Sequence, residues 1–338
     1  MAPPVLRIGL IGNGTVGAAF SSALAANSER IARRLPARVR LTQVAVRSPD
    51  LHGRTIGGAR VHDDAAALAA DPAIDIVVEA SGAAHAGEWL RRALARGAAA
   101  VSANKLAIAS DDALLSALAR REPRLQCEAA VAAAVPVVRA LRDSLDCEEI
   151  YGIRGVLNGT TTFVLSKLEQ GYDFETALAC ARELGYAEAD ASADLSGRDA
   201  AAKLAILATL AWRRPVSIAQ ITTRGIDANI AELVRVVQAN GARVRLVAEA
   251  TKDQTNDAAL RLTVEPRVLG GDDRLAQADG VTNIVEVQSA LAGSLTWFGP
   301  GAGGRHTASA LLGDLLVAAR ALTGTHTATS LTSGRNAA

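Results

Sequence analysis

No run in this chain approaches the ~18 consecutive apolar residues that a membrane-spanning helix needs. The most apolar loop-like stretch, Ala129–Val138, is too short and is interrupted by Pro136. Neither sign of charge dominates: 36 basic residues face 35 acidic ones, for a net charge of +1. That balance removes the electrostatic case for nucleic acid or an anionic membrane surface as a partner. Cysteine is scarce. Cys127, Cys147 and Cys180 are odd in number and irregular in spacing, which fits neither a disulfide framework nor a metal site. A reduced, cytoplasmic setting is expected. The N-terminal Met-Ala-Pro-Pro-Val-Leu-Arg lacks the apolar core of a signal peptide. Internal repeats are absent. What remains is 338 residues, 49% of them hydrophobic, enough for two cored domains and too apolar for disorder.

The first half reads as a nucleotide fold. Val5–Ile11 is an apolar run broken only by Arg7, as in a buried parallel strand. Gly12-Asn-Gly14-Thr15-Val16-Gly17 follows directly and leads into a helical pattern, which sets G-x-G-x-x-G in its strand–turn–helix context. The first glycine allows the tight turn, the second the approach of a pyrophosphate, the third close helix–strand packing. The helix N-terminus then offers free N–H groups to the phosphates. A second strand, Val39–Val46, ends where an acidic residue would hold a ribose 2′-hydroxyl, and here Arg47-Ser48 stands with no carboxylate before Asp50. That favours a 2′-phosphate and hence NADP, with NAD as the alternative. Strands at Ile74–Ala80, Ala99–Ala103 and Leu125–Ala129 alternate with helices at Ala65–Ala70, Glu88–Arg96 and Asp111–Arg120. This alternation predicts a Rossmann-type doubly wound parallel sheet. Ser81, Gly82, Asn104 and Lys105 fall at the carboxyl ends of its strands, where such sheets bind ligands.

The second half reads as α+β, an open sheet with helices on one face. Strands are expected at Glu149–Leu157, Arg243–Ala250, Leu260–Pro266 and Asn283–Val287. Asn158-Gly159-Thr160-Thr161 opens a helix. Its polar groups serve either as caps or as binders of a carboxylate or carbonyl. Phe174–Leu184 is a helix closed by Gly185, and an acidic stretch (Glu188, Asp190, Asp194) follows. From Ala200 to Trp212 a helix is expected whose one charged residue is Lys203. An ammonium on a helix apolar all round is costly unless paired. Asp199, four residues earlier, faces it along the helix, and Ser196 with Asp199 matches a capping signature. A helix-start ion pair and a proton-transfer site both fit. The acidic loop can converge on the same pocket and would suit a substrate bearing an ammonium group. Further on, helices are expected at Ile230–Ala239 and His306–Leu322, a second Gly-rich turn at Gly299–Gly304, and a loose tail from Gly324. The domain bounds read 1–130 for the nucleotide domain, 131–305 for the substrate and dimerisation domain, 306–322 for a helix returning to the nucleotide domain, and 323–338 for the tail.

Over nearly its whole length the chain resembles homoserine dehydrogenase. The resemblance is carried by Ile8–Gly17, Ser102-Ala-Asn-Lys105, Glu128 to Pro136, Gly155 to Thr161, Gly185 to Asp190 and Gly197 to Lys203, and it extends through Gly299–Gly304 to Asp314. It implies reduction of L-aspartate 4-semialdehyde to L-homoserine with NAD(P)H, in the biosynthesis of threonine and methionine. By resemblance Lys203 corresponds to a catalytic lysine that protonates the nascent alkoxide. Asp199 and Glu188 match carboxylates that hold the substrate amino group, Asp194 a further acidic position, Thr160 a substrate-loop position, and Lys105 a lysine near nicotinamide and substrate. Ser81 and Gly303 join the cofactor set. Glu128 with the backbone of Val131, Ala133 and Val135 aligns with a monovalent-cation site, usually sodium, and relatives are homodimers. The chain reads as a short form, without a C-terminal regulatory domain. Relatives usually carry glycine at Ala132-Ala133-Ala134, and alanine resists both φ > 0 and close ligand approach. Two alternatives stay open on that account: a paralogue acting on a related amino-acid semialdehyde, or a catalytically weak NADP-binding sensor.

Overall fold

The computed structural model describes residues 3–252 and 259–332. The chain divides into two compact units, residues 1–130 with 303–338, and residues 131–302.

The first unit is built on seven strands. These are β1 (Val5–Ile11), β2 (Arg38–Ala45), β3 (Thr55–Ile56), β4 (Ala59–His62), β5 (Ile76–Glu79), β6 (Ala99–Ser102) and β7 (Leu125–Gln126). Their order is β3-β4-β2-β1-β5-β6-β7. Every pairing is parallel except that of β3 with β4. Apolar runs make these strands because both faces are covered. On one face Ile8, Leu10, Val44, Ile76 and Val78 pack with Phe20, Leu24, Leu311 and Leu315 of the helices Thr15–Ala26 and Gly304–Thr332. On the other, Ile11, Ala45 and Val77 pack with Leu68 and Ala93 of the helices Ala65–Ala70 and Ala86–Ala95. The doubly wound architecture expected from the alternation is thus present.

The second unit carries a six-stranded sheet of β8 (Ile150–Val156), β9 (Thr222–Thr223), β10 (Arg243–Lys252), β11 (Leu260–Leu269), β12 (Thr282–Ser289) and β13 (Gly293–Pro300), in the order β13-β12-β8-β10-β11-β9. All pairs are antiparallel except β11 with β9. The helices Gly159–Glu169, Arg198–Trp212 and Ile230–Gln238 pack on it. On the opposite face Glu249 and Glu286 stand directly across from Arg154 in register. Its guanidinium meets Asp273 at 2.6 Å and each glutamate at 3.7 Å. Burial alone would lower the Arg154 pKa. Asp273, helped by the two glutamates, outweighs it and holds the guanidinium above its ordinary value.

Three expectations need correction. The C-terminal helix starts at Gly304 and continues to Thr332, so most of the expected tail is helical. Beyond Gly324 no Gly or Pro interrupts it before Ser333, and residues 333–338 lie outside the described residues. The strand expected at Leu125–Ala129 stops at Gln126, because Glu128–Ala130 forms a 3₁₀ turn. The Ser196–Asp199 capping signature is not used. The helix begins at Arg198 after Gly197, whose φ is 82°, and no side chain caps it. Ser196 instead closes the short preceding helix Ser192–Leu195.

Candidate active site

Lys203 lies on the helix Arg198–Trp212 with 8% of its surface exposed. Its neighbours on that helix from Ala200 to Leu210 are buried on every side, so its position is set by the core and not by solvent. The ammonium donates to Asp199 Oδ2 at 2.7 Å and to the Leu157 carbonyl at 2.6 Å. An ammonium has three hydrogens and no acceptor. Two are committed, which leaves one for another ligand.

Asn158 organises the carboxylates around this pair. It lies two residues beyond β8 and N-caps the helix Gly159–Glu169, where its Oδ1 accepts from the Thr161 N–H at 2.9 Å. Its Nδ2 donates to Asp194 Oδ1 at 2.6 Å and to Asp199 Oδ2 at 2.9 Å. Thr160 Oγ1 lies 2.7 Å from the Tyr186 carbonyl and 3.0 Å from Asp194 Oδ2, and its one hydrogen serves one acceptor at a time. Both readings of the Asn158–Thr161 segment therefore hold: it caps a helix and it gathers functional carboxylates. The acidic loop divides. Asp194 joins the lysine cluster, whereas Glu188 and Asp190 are exposed. Asp190 turns to Ser192, whose side-chain and backbone hydrogen bonds hold its carboxyl below the usual range. Glu188 makes no side-chain hydrogen bond among the described residues.

In the first unit the Gly-rich turn has the shape its sequence predicts. A Cβ on Gly12 would sit 2.5 Å from Ser81 Cα, and one on Gly17 would sit 2.0 Å from the Gly12 carbonyl. These glycines are required by close packing. At Gly14 a Cβ would meet nothing within 4 Å, so the turn leaves a cradle open at the start of a twelve-residue helix that no side chain caps. Gly14 and Thr15 are exposed there and Val16 is partly buried, while Asn13 Oδ1 is buried and meets no hydrogen-bond partner among the described residues. An uncapped helix N-terminus facing an open cradle suits a pyrophosphate. Arg47 and Ser48 are exposed beyond the end of β2. Gly303, with φ of 112°, precedes the helix Gly304–Thr332.

Sequence reasoning missed Glu79, which is fully buried at the end of β5. Its Oε1 accepts from the Ser81 N–H at 2.8 Å and the Ser81 hydroxyl at 2.7 Å, and its Oε2 from the Ser102 hydroxyl at 2.7 Å. Ser102 in turn accepts from the Asn104 N–H at 3.0 Å, and Asn104 caps the helix Lys105–Ala109. Glu79 thus ties together the loops carrying Ser81 and Lys105. The available signal was an acid inside the run Ile-Val-Val-Glu, where an unpaired carboxylate is not tolerated. Glu128, Val131, Ala133 and Val135 are all buried, and φ is 52° at Ala132 and 46° at Ala133. The backbone here enters the left-handed region although the side chains are alanine.

A phosphate cradle at the carboxyl ends of a parallel sheet defines a nucleotide-binding fold, of which the nicotinamide-dependent oxidoreductases are one class, and similarity to known proteins selects that class. The model of the homoserine dehydrogenase NAD binding domain matches residues 12–132, and the homoserine dehydrogenase model matches residues 136–316. The homoserine dehydrogenase of Pseudomonas aeruginosa is 36% identical over 323 residues, covering 94% of this chain and 73% of that protein. That of Corynebacterium glutamicum is 36% identical, covering 93% and 72%. Among solved structures, a homoserine dehydrogenase from Thiobacillus denitrificans superposes with a TM-score of 0.87 at 34% identity, over 95% of this chain and 74% of that one. A hyperthermophilic archaeal homoserine dehydrogenase in complex with NADPH gives 0.77 at 29% identity, over 93% and 97%. The chain belongs to the homoserine dehydrogenase family, NAD(P)-dependent oxidoreductases that reduce L-aspartate 4-semialdehyde to L-homoserine.

Proposed function

We propose that Lys203 is the proton donor in this reduction. A bound nicotinamide would supply the hydride to the aldehyde carbon. As that carbon becomes tetrahedral its oxygen gains an electron pair, and the third hydrogen of the Lys203 ammonium protonates it. Asp199 and the Leu157 carbonyl hold the amine through the transfer, so the donor is oriented before the charge develops. Asp194, held by Asn158 and Thr160, and the exposed Glu188 supply carboxylates for the substrate ammonium. The observation that carries the reading is the buried ammonium with two hydrogens committed inside the protein. Lys203→Ala should lower kcat by ~10² or more, the usual contribution of a general acid, while NADPH binding persists. A near-normal rate would refute the role.

The cofactor reading assigns the pyrophosphate to Gly12, Gly14, Thr15, Val16 and Gly17, and places Ser81, Lys105 and Gly303 beside the dinucleotide. The exposed Arg47 takes a 2′-phosphate, so NADP is preferred. Arg47→Ala should weaken NADPH more than NADH, and an equal loss would sink that assignment. Glu128 with the carbonyls of Val131, Ala133 and Val135 would offer oxygen donors of the kind hard cations take, and the family resemblance selects sodium among them; unchanged activity in sodium-free buffer would exclude it. A homodimer is proposed on the exposed apolar Leu291 and Phe298 near the sheet-edge strand β13, and a sedimenting monomer would exclude it. No described helix is long and apolar enough to cross a membrane, and the three cysteines are odd in number and too irregularly spaced for a disulfide framework. Both observations support a cytoplasmic enzyme, which cell fractionation tests.

A further inference from the structure

Asn283 is completely buried at the second position of β12, with apolar residues following it. The antiparallel register pairs Ile284 with Val156. One step further along, Asn283 comes beside Leu157. Its Nδ2 donates to the Leu157 carbonyl at 3.0 Å, the same oxygen that accepts from Lys203 at 2.6 Å. Its Oδ1 is buried and meets no donor among the described residues. A buried amide that leaves one end unpaired costs stability of order 1–3 kcal/mol, so the other end has a reason to be kept. The surroundings are shaped to admit it. A Cβ on Gly301 would lie 2.1 Å from both Asn283 Cγ and Oδ1, so the amide occupies the space that any larger residue at 301 would fill.

We propose that Asn283 is a positioning residue for the proton donor. A carbonyl oxygen has two lone pairs. Asn283 takes one and thereby fixes where the other can receive Lys203. With Asp199 as the second anchor, the two fixed hydrogen bonds determine the direction of the third ammonium hydrogen, the one that must reach the forming alkoxide. Without Asn283 the Leu157 carbonyl, which lies just beyond the end of β8, keeps a single anchor and the donor loses its aim. The inference rests on the reading of Lys203 as that donor.

The test compares Asn283→Leu, Gly301→Ala and Lys203→Ala with the wild type for kcat, NADPH affinity, thermal midpoint and solvent deuterium isotope effect on kcat. Leucine keeps the shape of the amide and removes its donor. The alanine at 301 displaces the amide without removing it, and it carries the same readouts if the leucine variant does not fold. Both variants should lose ~10–10²-fold in kcat, the scale of a misplacement of about 1 Å, with NADPH affinity unchanged. In both, the solvent isotope effect should rise as proton transfer becomes slower. A folded variant with wild-type kcat overturns the proposal. So does a lower kcat with an unchanged isotope effect, because a purely structural lesion would not single out the proton. If Lys203→Ala also remains active, the donor reading itself fails. If Lys203→Ala is slow while the other two variants are normal, only the role of Asn283 fails.

Discussion

Residues 132, 133 and 197 all hold left-handed backbone, and the chain treats them differently. Ala132 and Ala133 carry the strain of φ near 50° with a Cβ present, a cost of order 1–3 kcal/mol each that persists only where the surroundings fix the conformation. Gly197, at φ 82°, could not carry it. A Cβ there would also meet Thr223 Cγ2 at 2.9 Å and Val264 Cγ1 at 3.0 Å. Gly197 directly precedes the helix of Asp199 and Lys203, so its backbone sets the entry of that helix. Gly197→Ala should destabilise the protein by ~1–3 kcal/mol from the backbone alone, with kcat reduced because the lysine helix shifts. Urea unfolding together with initial rates checks both, and a variant as stable as the wild type would show that the turn has slack the packing does not suggest.

At the level of elements, the helix Gly159–Glu169 shows how the site is held. Its first end is capped by Asn158, inside the lysine cluster. Its last residue, Glu169, is locked by Arg243 and Arg245 of β10. Arg245 is wholly buried and donates to Glu169 Oε1 at 2.7 Å and to the Ala278 carbonyl at 2.7 Å. Burial pushes the Glu169 carboxyl up, but hydrogen bonds and charges from the two arginines outweigh it and the net shift is downward. A depressed carboxylate pKa contributes stability that is fully present above the unfolded value, near 4.5, and is lost as pH falls through the lower folded value. Glu169→Gln should therefore cost ~3–5 kcal/mol at neutral pH, because it leaves a buried guanidinium poorly paired. The gap to wild type should narrow below about pH 4.5. Hydrogen exchange of the β10 amides at pH 7 and pH 3 measures this, and a gap independent of pH would contradict it. Elements of this kind were only partly legible in the sequence. The buried parallel strands and the long helices showed themselves because continuous apolar runs and 3.6-residue periodicity survive in the residues alone. The β3–β4 hairpin around Gly57-Gly58 did not, since strands of two and four residues are too short to show alternation. Strand β13 was missed because an open edge need not bury its residues. At the site, Lys203, Asp199 and Asp194 were legible as charges on or beside an apolar helix. Asn158 as a bridge, Asn283 and the Leu157 carbonyl were not, because backbone acceptors and cross-strand register exist only in the folded chain.

At the level of the whole molecule, the two units differ in how the chain supplies them. The second is drawn from one continuous segment, 131–302. The first is discontinuous: its core includes Ala308, Leu311, Leu315, Ala318 and Ala319 from the helix Gly304–Thr332, all nearly or fully buried beside Phe20, Leu10 and Val78. Burying a leucine is worth ~1.5–3 kcal/mol, and a whole unit has only ~5–15 kcal/mol of stability to lose. Removing this helix strips two fully buried leucines and several alanines at once and uncovers the part of that sheet face which the helix Thr15–Ala26 does not cover. Residues 131–302 made alone should therefore unfold cooperatively, whereas residues 1–130 made alone should lack a cooperative transition and should not bind NADPH. Joining residues 303–332 to residue 130 through a short flexible linker should restore both properties, because the missing layer is resupplied at high effective concentration. Calorimetry and NADPH fluorescence on the three fragments read the outcome. NADPH binding by residues 1–130 without the helix would mean that the phosphate cradle is held by β1 and its following helix alone, and that the returning helix stabilises the sheet without shaping the site.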